Sequence, residues 1–208
     1  MITPTAGLLR TPRRKGVMGS QTVLPVVAAV TRHLGDAAAQ RLLDEARFLH
    51  LPEPGDPVRE RQVAVLHQSL RRNHPDEAEA ILREAARDSV EWIMAHRIPA
   101  RARMLLGAMP WQIAVWMLGR HALQNSWAFS GSGQFNVLGT DTFELIGNPV
   151  LRGETADHPI CVWHEELFQH TFRRMAHGRL RCTETACSAT GASSCRFHLR
   201  MEDGPGSS

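Results

Sequence analysis

The spacing of the apolar residues changes near residue 130, and this change limits the possible folds more than any other feature. Before it, apolar residues recur at three- and four-residue steps, as in Leu24, Val27 and Val30. That period is typical of an amphipathic helix. After it, short runs of alternating apolar and polar residues are bounded by turn residues, a pattern typical of strands. The sequence therefore predicts helices first and a mixed module second.

The second part of the chain reads as two hairpins around one helix. Strands are predicted over 135–138, 142–146, 179–186 and 195–201, and helical spacing covers 161–178. Hairpins pair their strands antiparallel. We expect an α+β fold in which N-terminal helices precede a ββαββ module, with an antiparallel sheet packed on helices.

Proline and acidic residues predict several helix boundaries in the first part. Asp36 has the residue type of an N-cap, and the stretch PEPGDP over 52–57 must interrupt the helical pattern. Another helix is predicted from Val58 to about His74. Pro75 then opens a long helix, and a further helix covers 110–126, again with proline at its start.

Composition divides the chain and excludes several classes of function. We predict a flexible basic tail over 1–20, a helical region over 21–99, a ligand-binding domain over 100–201 and a second tail over 202–208. The net charge is only +3 and no Arg/Lys stripe with interleaved aromatics occurs, so nucleic acid is not an expected partner. No apolar run approaches the ~18 residues of a membrane span, and we identify no signal peptide. The chain is expected in the cytoplasm, and the basic tail is compatible with contact to a membrane surface or to a partner enzyme.

All four cysteines lie in the last quarter of the chain, at Cys161, Cys182, Cys187 and Cys195, with Glu184 among them. In a reducing compartment such cysteines are thiols or metal ligands more often than disulfides. Their spacing is neither that of a zinc finger nor that of an iron–sulfur protein. On spacing alone, a zinc site with a carboxylate ligand and a set of buried, small apolar side chains are equal alternatives.

A longer pattern surrounds these cysteines. It consists of FELIGNP over 143–149, a cysteine that opens a helix (Cys161), Glu184-x-x-Cys187 on a strand, and Gly191-x-x-x-Cys195-x-Phe197 on the next strand. This combination resembles the 4-vinyl reductase domain family. Together with the helical first part, it makes the whole chain resemble the bacteriochlorophyll 4-vinyl reductase-like proteins of photosynthetic bacteria.

The resemblance implies a fold, a metal and an assembly state. The family's fold is similar to that of a vesicle-tethering subunit and of haem-based nitric oxide sensors. Related domains carry a structural zinc, and their ligand motif matches Cys161, Glu184, Cys187 and Cys195, whereas Cys182 lies outside it. Such a four-ligand zinc site is closed to substrate. Related domains also pair through this module, so a homodimer is expected.

The resemblance also implies an apolar, planar ligand, held in a pocket between helices and sheet. Flexible Met and flat Trp side chains suit such a ligand, and a neutral imidazole can coordinate the metal of a tetrapyrrole. The candidate binding residues are Met104, Met109, Trp111, Trp116 and His121. The alternative is that these side chains are ordinary core residues and a solvated histidine. Arginines at 97, 101, 103 and 120 have the geometry to pair with propionates.

The family name implies reduction of a vinyl group, which needs an electron donor. Gly131-Ser132-Gly133 lacks the third glycine and the strand-to-helix context of a dinucleotide site, and no P-loop occurs. The preferred hypothesis is therefore a protein of bacteriochlorophyll biosynthesis that binds a tetrapyrrole intermediate. It would act as a carrier, or as a factor that assists the biosynthetic enzymes. The alternatives are a vinyl reductase with an external donor, and a small-molecule sensor or interaction module.

Overall fold

The computed structural model describes residues 16–202, which form helices and two antiparallel sheets. The α-helices are α1 (Leu24–Leu34), α2 (Asp36–Glu45), α3 (Glu60–Asn73), α4 (Pro75–Arg97), α5 (Ala100–Gly107), α6 (Trp111–Asn125), α7 (Trp127–Ser130) and α8 (Val162–Met175). The strands are β1 (Val17–Gly19), β2 (Pro57–Arg59), β3 (Gln134–Val137), β4 (Thr142–Ile146), β5 (Leu180–Ala186) and β6 (Cys195–Met201). The predicted α+β class is confirmed.

The larger sheet has the strand order β3-β4-β6-β5, with every neighbouring pair antiparallel. Phe143 of β4 lies opposite Phe197 of β6, and Leu145 lies opposite Cys195. The two hairpins thus meet along β4 and β6, while α8 connects them and packs on β5. This is the ββαββ module that the alternating pattern predicts.

Aromatic side chains fill the space between α8 and the sheet. The Phe143 ring stacks on Phe172 with 5.1 Å between ring centroids, and Phe168 meets Phe197 edge to face at 5.1 Å. On its other side α8 packs against α4, and α4 packs against α1. Buried residues of the helical part and of the sheet module therefore form one continuous core.

The N-terminal segment differs from the predicted tail. Strand β1 pairs with β2, and Met18 is fully buried. Because Met18 is an apolar residue in an edge pairing, its burial holds this segment on the fold. The predicted tail at 1–15 and the C-terminal tail at 203–208 lie outside the described residues.

The small sheet also corrects the predicted start of the third helix. Val58 faces Met18 across the two strands, and α3 begins only at Glu60. The apolar spacing counted Val58 as helical because a single residue at a helix start cannot reveal its strand partner. Asp36 is likewise not a cap: it lies in the first turn of α2, and Gly35, with φ of 83°, occupies the N-cap position.

Helix α6 lies directly on the larger sheet. Its buried residues are Ala114, Val115 and Gly119. A Cβ atom at Gly119 would come within 2.8 Å of the Phe143 ring, so only glycine permits this approach. The opposite side of α6 is consequently turned away from the sheet. None of the described helices combines the length and the hydropathy that a bilayer crossing requires.

Candidate metal centre and apolar face

Four buried side chains converge where α8, β5 and β6 meet. They are Cys161, which caps α8, Glu184 of β5, Cys187 just after β5, and Cys195 at the start of β6. One ligand atom from each lies within 4.8 Å of all the others. The structure therefore brings together the four residues that the family resemblance implies as ligands.

The local backbone explains how Glu184 and Cys187 reach the same point. They are three positions apart, and a regular strand would turn side chains at this spacing to opposite faces. The register of β5 against β6 shifts between Glu184 and Ala186, and the strand ends there. Gly191, with φ of 92°, then closes the turn that returns the chain to Cys195.

Hydrogen bonds fix three of the four side chains. The Cys161 thiol lies 3.4 Å from Cys195 Sγ, and the backbone N–H of Cys161 donates to Glu184 Oε2 at 2.9 Å. Asn148 Nδ2 donates to Cys161 Sγ at 3.2 Å. The other carboxylate oxygen of Glu184, Oε1, is buried without a hydrogen-bond partner. A buried polar atom of this kind calls for a ligand.

The electrostatics of the cluster favour a cation. Burial raises the pKa of Glu184 to about 8, and the neighbouring Cys187 adds to this effect. Burial likewise raises the pKa of the Cys161 thiol, whereas hydrogen bonds from the thiols of Cys161 and Cys195 lower the pKa of Cys187. Several negative charges in so small a buried volume are tolerated only with a compensating positive charge.

The dimensions suit one tetrahedral ion. Zinc–sulfur bonds of about 2.3 Å separate the sulfurs of a tetrahedral site by roughly 3.8 Å. The distance between Sγ atoms of Cys161 and Cys195 is 3.4 Å, and the upper bound for the set is 4.8 Å. The four residues fill a tetrahedral coordination shell, so a bound ion has no position left for substrate.

Charged residues behind the cluster connect it to the helical layer. Glu165 of α8 accepts a hydrogen bond from the backbone N–H of Glu184 at 2.7 Å. Arg83 of α4 pairs with Glu165 at 3.0 Å. The strand that carries Glu184 is thus attached to α8 and, through Arg83, to α4.

Cys182 is buried but is not part of the cluster. It lies on β5 two residues before Glu184, and its backbone N–H donates to Gln169 of α8. Burial raises the pKa of its thiol well above the usual value. It has the surroundings of a small apolar residue under α8.

The predicted pigment-binding residues lie on and between α5 and α6. Met104 is 75% exposed and Trp116 is 43% exposed. His121 is exposed as well, whereas Met109 and Trp111 are half-buried against the core. The structure thus differs from the expected pocket between helices and sheet, because α6 turns its small residues to the sheet and its large ones to solvent.

Exposed large side chains define an apolar face on these two helices. The apolar face consists of Met104, Leu105, Ile113, Trp116 and Met117. On α6 its members follow the steps i, i+3 and i+4, and on α5 they are adjacent. A cluster of exposed apolar side chains is uncommon on a monomeric surface and marks a binding site.

The charge around the apolar face has one sign. The sequence contains no Asp or Glu from residue 92 to residue 140, whereas Arg101, Arg103 and Arg120 lie on α5 and α6. The guanidinium of Arg120 lies 5.2 Å from the centre of the Trp116 ring. None of the three arginines forms an ion pair within residues 16–202.

Sequence comparison finds relatives over nearly the whole chain. The sequence profile of the 4-vinyl reductase domain matches residues 142–201. The bacteriochlorophyll synthase 23 kDa chain of Cereibacter sphaeroides is 37% identical over 187 residues, which cover 88% of this chain and 89% of that protein. The protein of the same name from Rhodobacter capsulatus is 28% identical over 184 residues, covering 88% of this chain and 86% of its own.

Structure comparison finds the same fold in H-NOX proteins. The Fe(II) unliganded H-NOX protein from K. algicida has a TM-score of 0.59 at 10% identity, covering 90% of this chain and 98% of its own. The H-NOX protein from S. oneidensis in the Fe(II)NO ligation state has a TM-score of 0.53 at 12% identity, covering 89% of this chain and 100% of its own. At these identities the likeness concerns the fold alone.

Proposed function

Since the chain belongs to the family of the bacteriochlorophyll synthase 23 kDa chains and carries the domain named after 4-vinyl reductase, we propose that it binds a tetrapyrrole intermediate of bacteriochlorophyll biosynthesis and passes it to the enzymes of that pathway. The relatives' name supports the pathway. The family agrees with the one expected from the cysteine pattern. The binding of a pigment and its transfer are the steps that go beyond the family assignment.

The apolar face is the observation that carries this proposal. Five large apolar side chains remain in water there, at a free-energy cost that a bound apolar ligand removes. A planar tetrapyrrole ring is apolar and aggregates in water, so a protein that covers one of its faces keeps it dispersed. The flat Trp116 and the flexible Met104 are side chains that adapt to such a ring.

The other predicted residues have supporting places in this proposal. Met109 and Trp111 lie half-buried between α5 and α6, where they pack under the apolar face. His121 is one turn beyond Met117 on α6 and is exposed. A neutral imidazole there is available to the central magnesium of a pigment, as histidine is to metals generally.

The metal cluster supports the proposal from a distance. We assign it a structural zinc, held by Cys161, Glu184, Cys187 and Cys195, because thiolate and carboxylate ligands in a closed tetrahedral set are typical of such sites. The ion would join α8 to the β5–β6 hairpin. Because the set is closed, it has no part in binding the pigment.

The turn at Gly131-Ser132-Gly133 gives no support to a nucleotide site. It leads from α7 into β3, so no helix N-terminus follows it to receive a phosphate. Ser132 is instead held by Glu60, whose carboxylate accepts hydrogen bonds from its backbone N–H and its hydroxyl at 2.7 and 2.9 Å. These contacts give the segment a structural role and favour a carrier over a reductase.

The test is a titration with a divinyl magnesium tetrapyrrole in the presence of NADPH. Tryptophan quenching and the pigment's vinyl content are followed together. We expect saturable quenching with the vinyl group intact. Loss of vinyl in proportion to the protein would establish a reductase instead.

Variants place the pigment on the apolar face. Trp116→Ala and Met104→Ala are expected to weaken binding about tenfold or more, since each removes a large apolar contact worth more than about 1.4 kcal/mol. Leu49→Ala is the matched control, because Leu49 is also exposed but lies outside the apolar face. Equal affinity of all three variants and the unchanged chain would overturn this placement.

A further inference from the structure

We infer that the pigment is recognised as a free acid, and that Arg101, Arg103 and Arg120 bind its carboxylates at the edge of the apolar face. This inference rests on the proposed function and specifies its ligand. It predicts that unesterified tetrapyrroles bind and that their esters bind less tightly. The chemistry required is a carboxylate attached to a large apolar ring.

The helical spacing places arginine beside the apolar side chains on both helices. On α6, Arg120 follows Trp116 by four residues and Met117 by three, so all three lie on one side of the helix. On α5, Arg101 precedes Met104 by three residues and Leu105 by four. Each helix therefore presents an apolar pair next to a guanidinium group.

The contact between Arg120 and Trp116 gives this arrangement a defined geometry. The guanidinium carbon lies 5.2 Å from the ring centre, within the range of a cation–π contact. The contact holds the cation at the border of the apolar surface while its N–H groups remain available. Planar guanidinium groups bind carboxylates with two parallel hydrogen bonds.

These arginines also lack the partners that other arginines of the chain have. Arg83 and Arg87 of α4 are paired with acidic residues of α8. By contrast, the acid-free stretch from 92 to 140 contains Arg101, Arg103 and Arg120, and residues 16–202 supply no ion pair to them. Unpaired cations around an apolar surface fit a ligand that is apolar and negatively charged.

The same charge pattern argues against a second copy of the chain as the occupant. A twofold contact brings the same surface together from both protomers. Centred on the apolar face, it would place the arginines of one copy against those of the other without an acidic residue from this stretch. The homodimer predicted from the family would then need another surface.

The inference is tested with two forms of one tetrapyrrole, the free acid and its methyl ester, in the same detergent. We expect the free acid to bind about tenfold more tightly, since a charge-assisted hydrogen bond is worth about 1.5–3 kcal/mol. Arg120→Gln and Arg101→Gln should lower affinity for the free acid and leave affinity for the ester unchanged. Arg41→Gln is the control, because Arg41 is exposed on α2, away from the apolar face.

Each outcome bears on a different claim. Equal affinity for acid and ester overturns the inference and leaves pigment binding in place. Failure of both forms to bind overturns the proposed function itself. If the arginine variants instead abolish a concentration-dependent dimer, or sedimentation with anionic vesicles in the absence of pigment, while the acid and ester do not differ, the inference is wrong and the face serves that other partner.

Discussion

Asn148 and Cys161 are connected by a buried hydrogen bond in which the Asn148 Nδ2–H group donates to Cys161 Sγ at 3.2 Å. The Oδ1 atom of the same amide accepts from the backbone N–H of Val150, which fixes the orientation of the side chain. A donor held in this way stabilises the thiolate over the thiol and aims it at the ion. Groups that orient metal ligands often matter nearly as much as the ligands.

We therefore expect Asn148→Ala to weaken zinc binding about 10–100-fold, measured by competition with a chromophoric chelator. Asn136→Ala is the matched control. It also removes an amide donor from the sheet module, in this case the 3.0 Å hydrogen bond to Glu144, but no sulfur is involved. Equal losses in the two variants would contradict a specific role for Asn148.

The four cysteines separate the metal ligands from a buried thiol of no such role. Cys195→Ser is expected to lose the zinc and to destabilise the fold, because the ion would join β6 to α8. Cys182→Ser should retain one zinc per chain, since Cys182 is buried outside the cluster. Elemental analysis after gel filtration measures both. Retention of zinc by Cys195→Ser would refute the proposed ligand set.

The sequence alone was sufficient for the metal cluster but not for the residues around it. Cys161, Glu184, Cys187 and Cys195 belong to a motif whose spacing names them directly. Asn148 lies 13 residues before Cys161, and nothing in the local pattern indicates that the turn after β4 brings the two together. Such contacts depend on tertiary geometry, which periodicity does not describe.

The ligand-binding residues show a second limit of sequence reasoning. Helical spacing identified α6 and its tryptophans, but it does not say which side of a helix a sheet covers. Gly119 carried that information, because a close approach between helix and sheet needs a residue without a Cβ atom. The predicted enclosed pocket consequently became an exposed face. Strand β1 was missed because three residues at a chain end show no period.

Two buried histidines make the stability depend on pH. Burial lowers the pKa of His67 to about 3 and that of His164 to about 4, and the nearby Arg71 acts in the same direction on both. Each ring donates or accepts one hydrogen bond at Nε2, to Thr22 and Phe129 respectively, and its Nδ1 atom has no partner. Both are therefore neutral core residues.

The sign follows from these directions. In the unfolded chain a histidine takes up its proton near pH 6.5, whereas these two remain neutral in the fold. Their contribution is complete above pH 6.5 and is lost as the pH falls. At pH 5.5 each costs about 1.4 kcal/mol of unfolding free energy relative to pH 7.5. Urea unfolding at the two values measures this loss.

The variant His67→Asn should reduce the difference between pH 7.5 and pH 5.5 by about 1.4 kcal/mol. His50→Asn is the control, because His50 is exposed and remains in water in both states. Titration of the metal ligands is common to all three proteins and cancels in the comparison. A pH dependence that is unchanged by His67→Asn would mean that His67 is not buried as a neutral ring.

Gly119 tests whether the close contact of α6 with the sheet sets the position of the apolar face. An alanine there would place its Cβ atom 2.8 Å from Phe143 Cε1 and 3.3 Å from Val137 Cγ2. Phe143 is fully buried and stacked on Phe172, so it has little room to move. Alanine favours a helix by about 1 kcal/mol over glycine, but overpacking costs about 1–3 kcal/mol.

We expect Gly119→Ala to lower the unfolding free energy by about 1–2 kcal/mol, since the fixed ring makes overpacking the larger effect. Gly107→Ala in α5 is the matched control, because a Cβ atom there meets nothing within 4 Å. That change should be neutral or stabilising by up to about 1 kcal/mol. Pigment affinity should fall only in Gly119→Ala, where α6 must shift away from the sheet and carry Trp116 with it. A stabilised Gly119→Ala variant would show that α6 does not lie against Phe143.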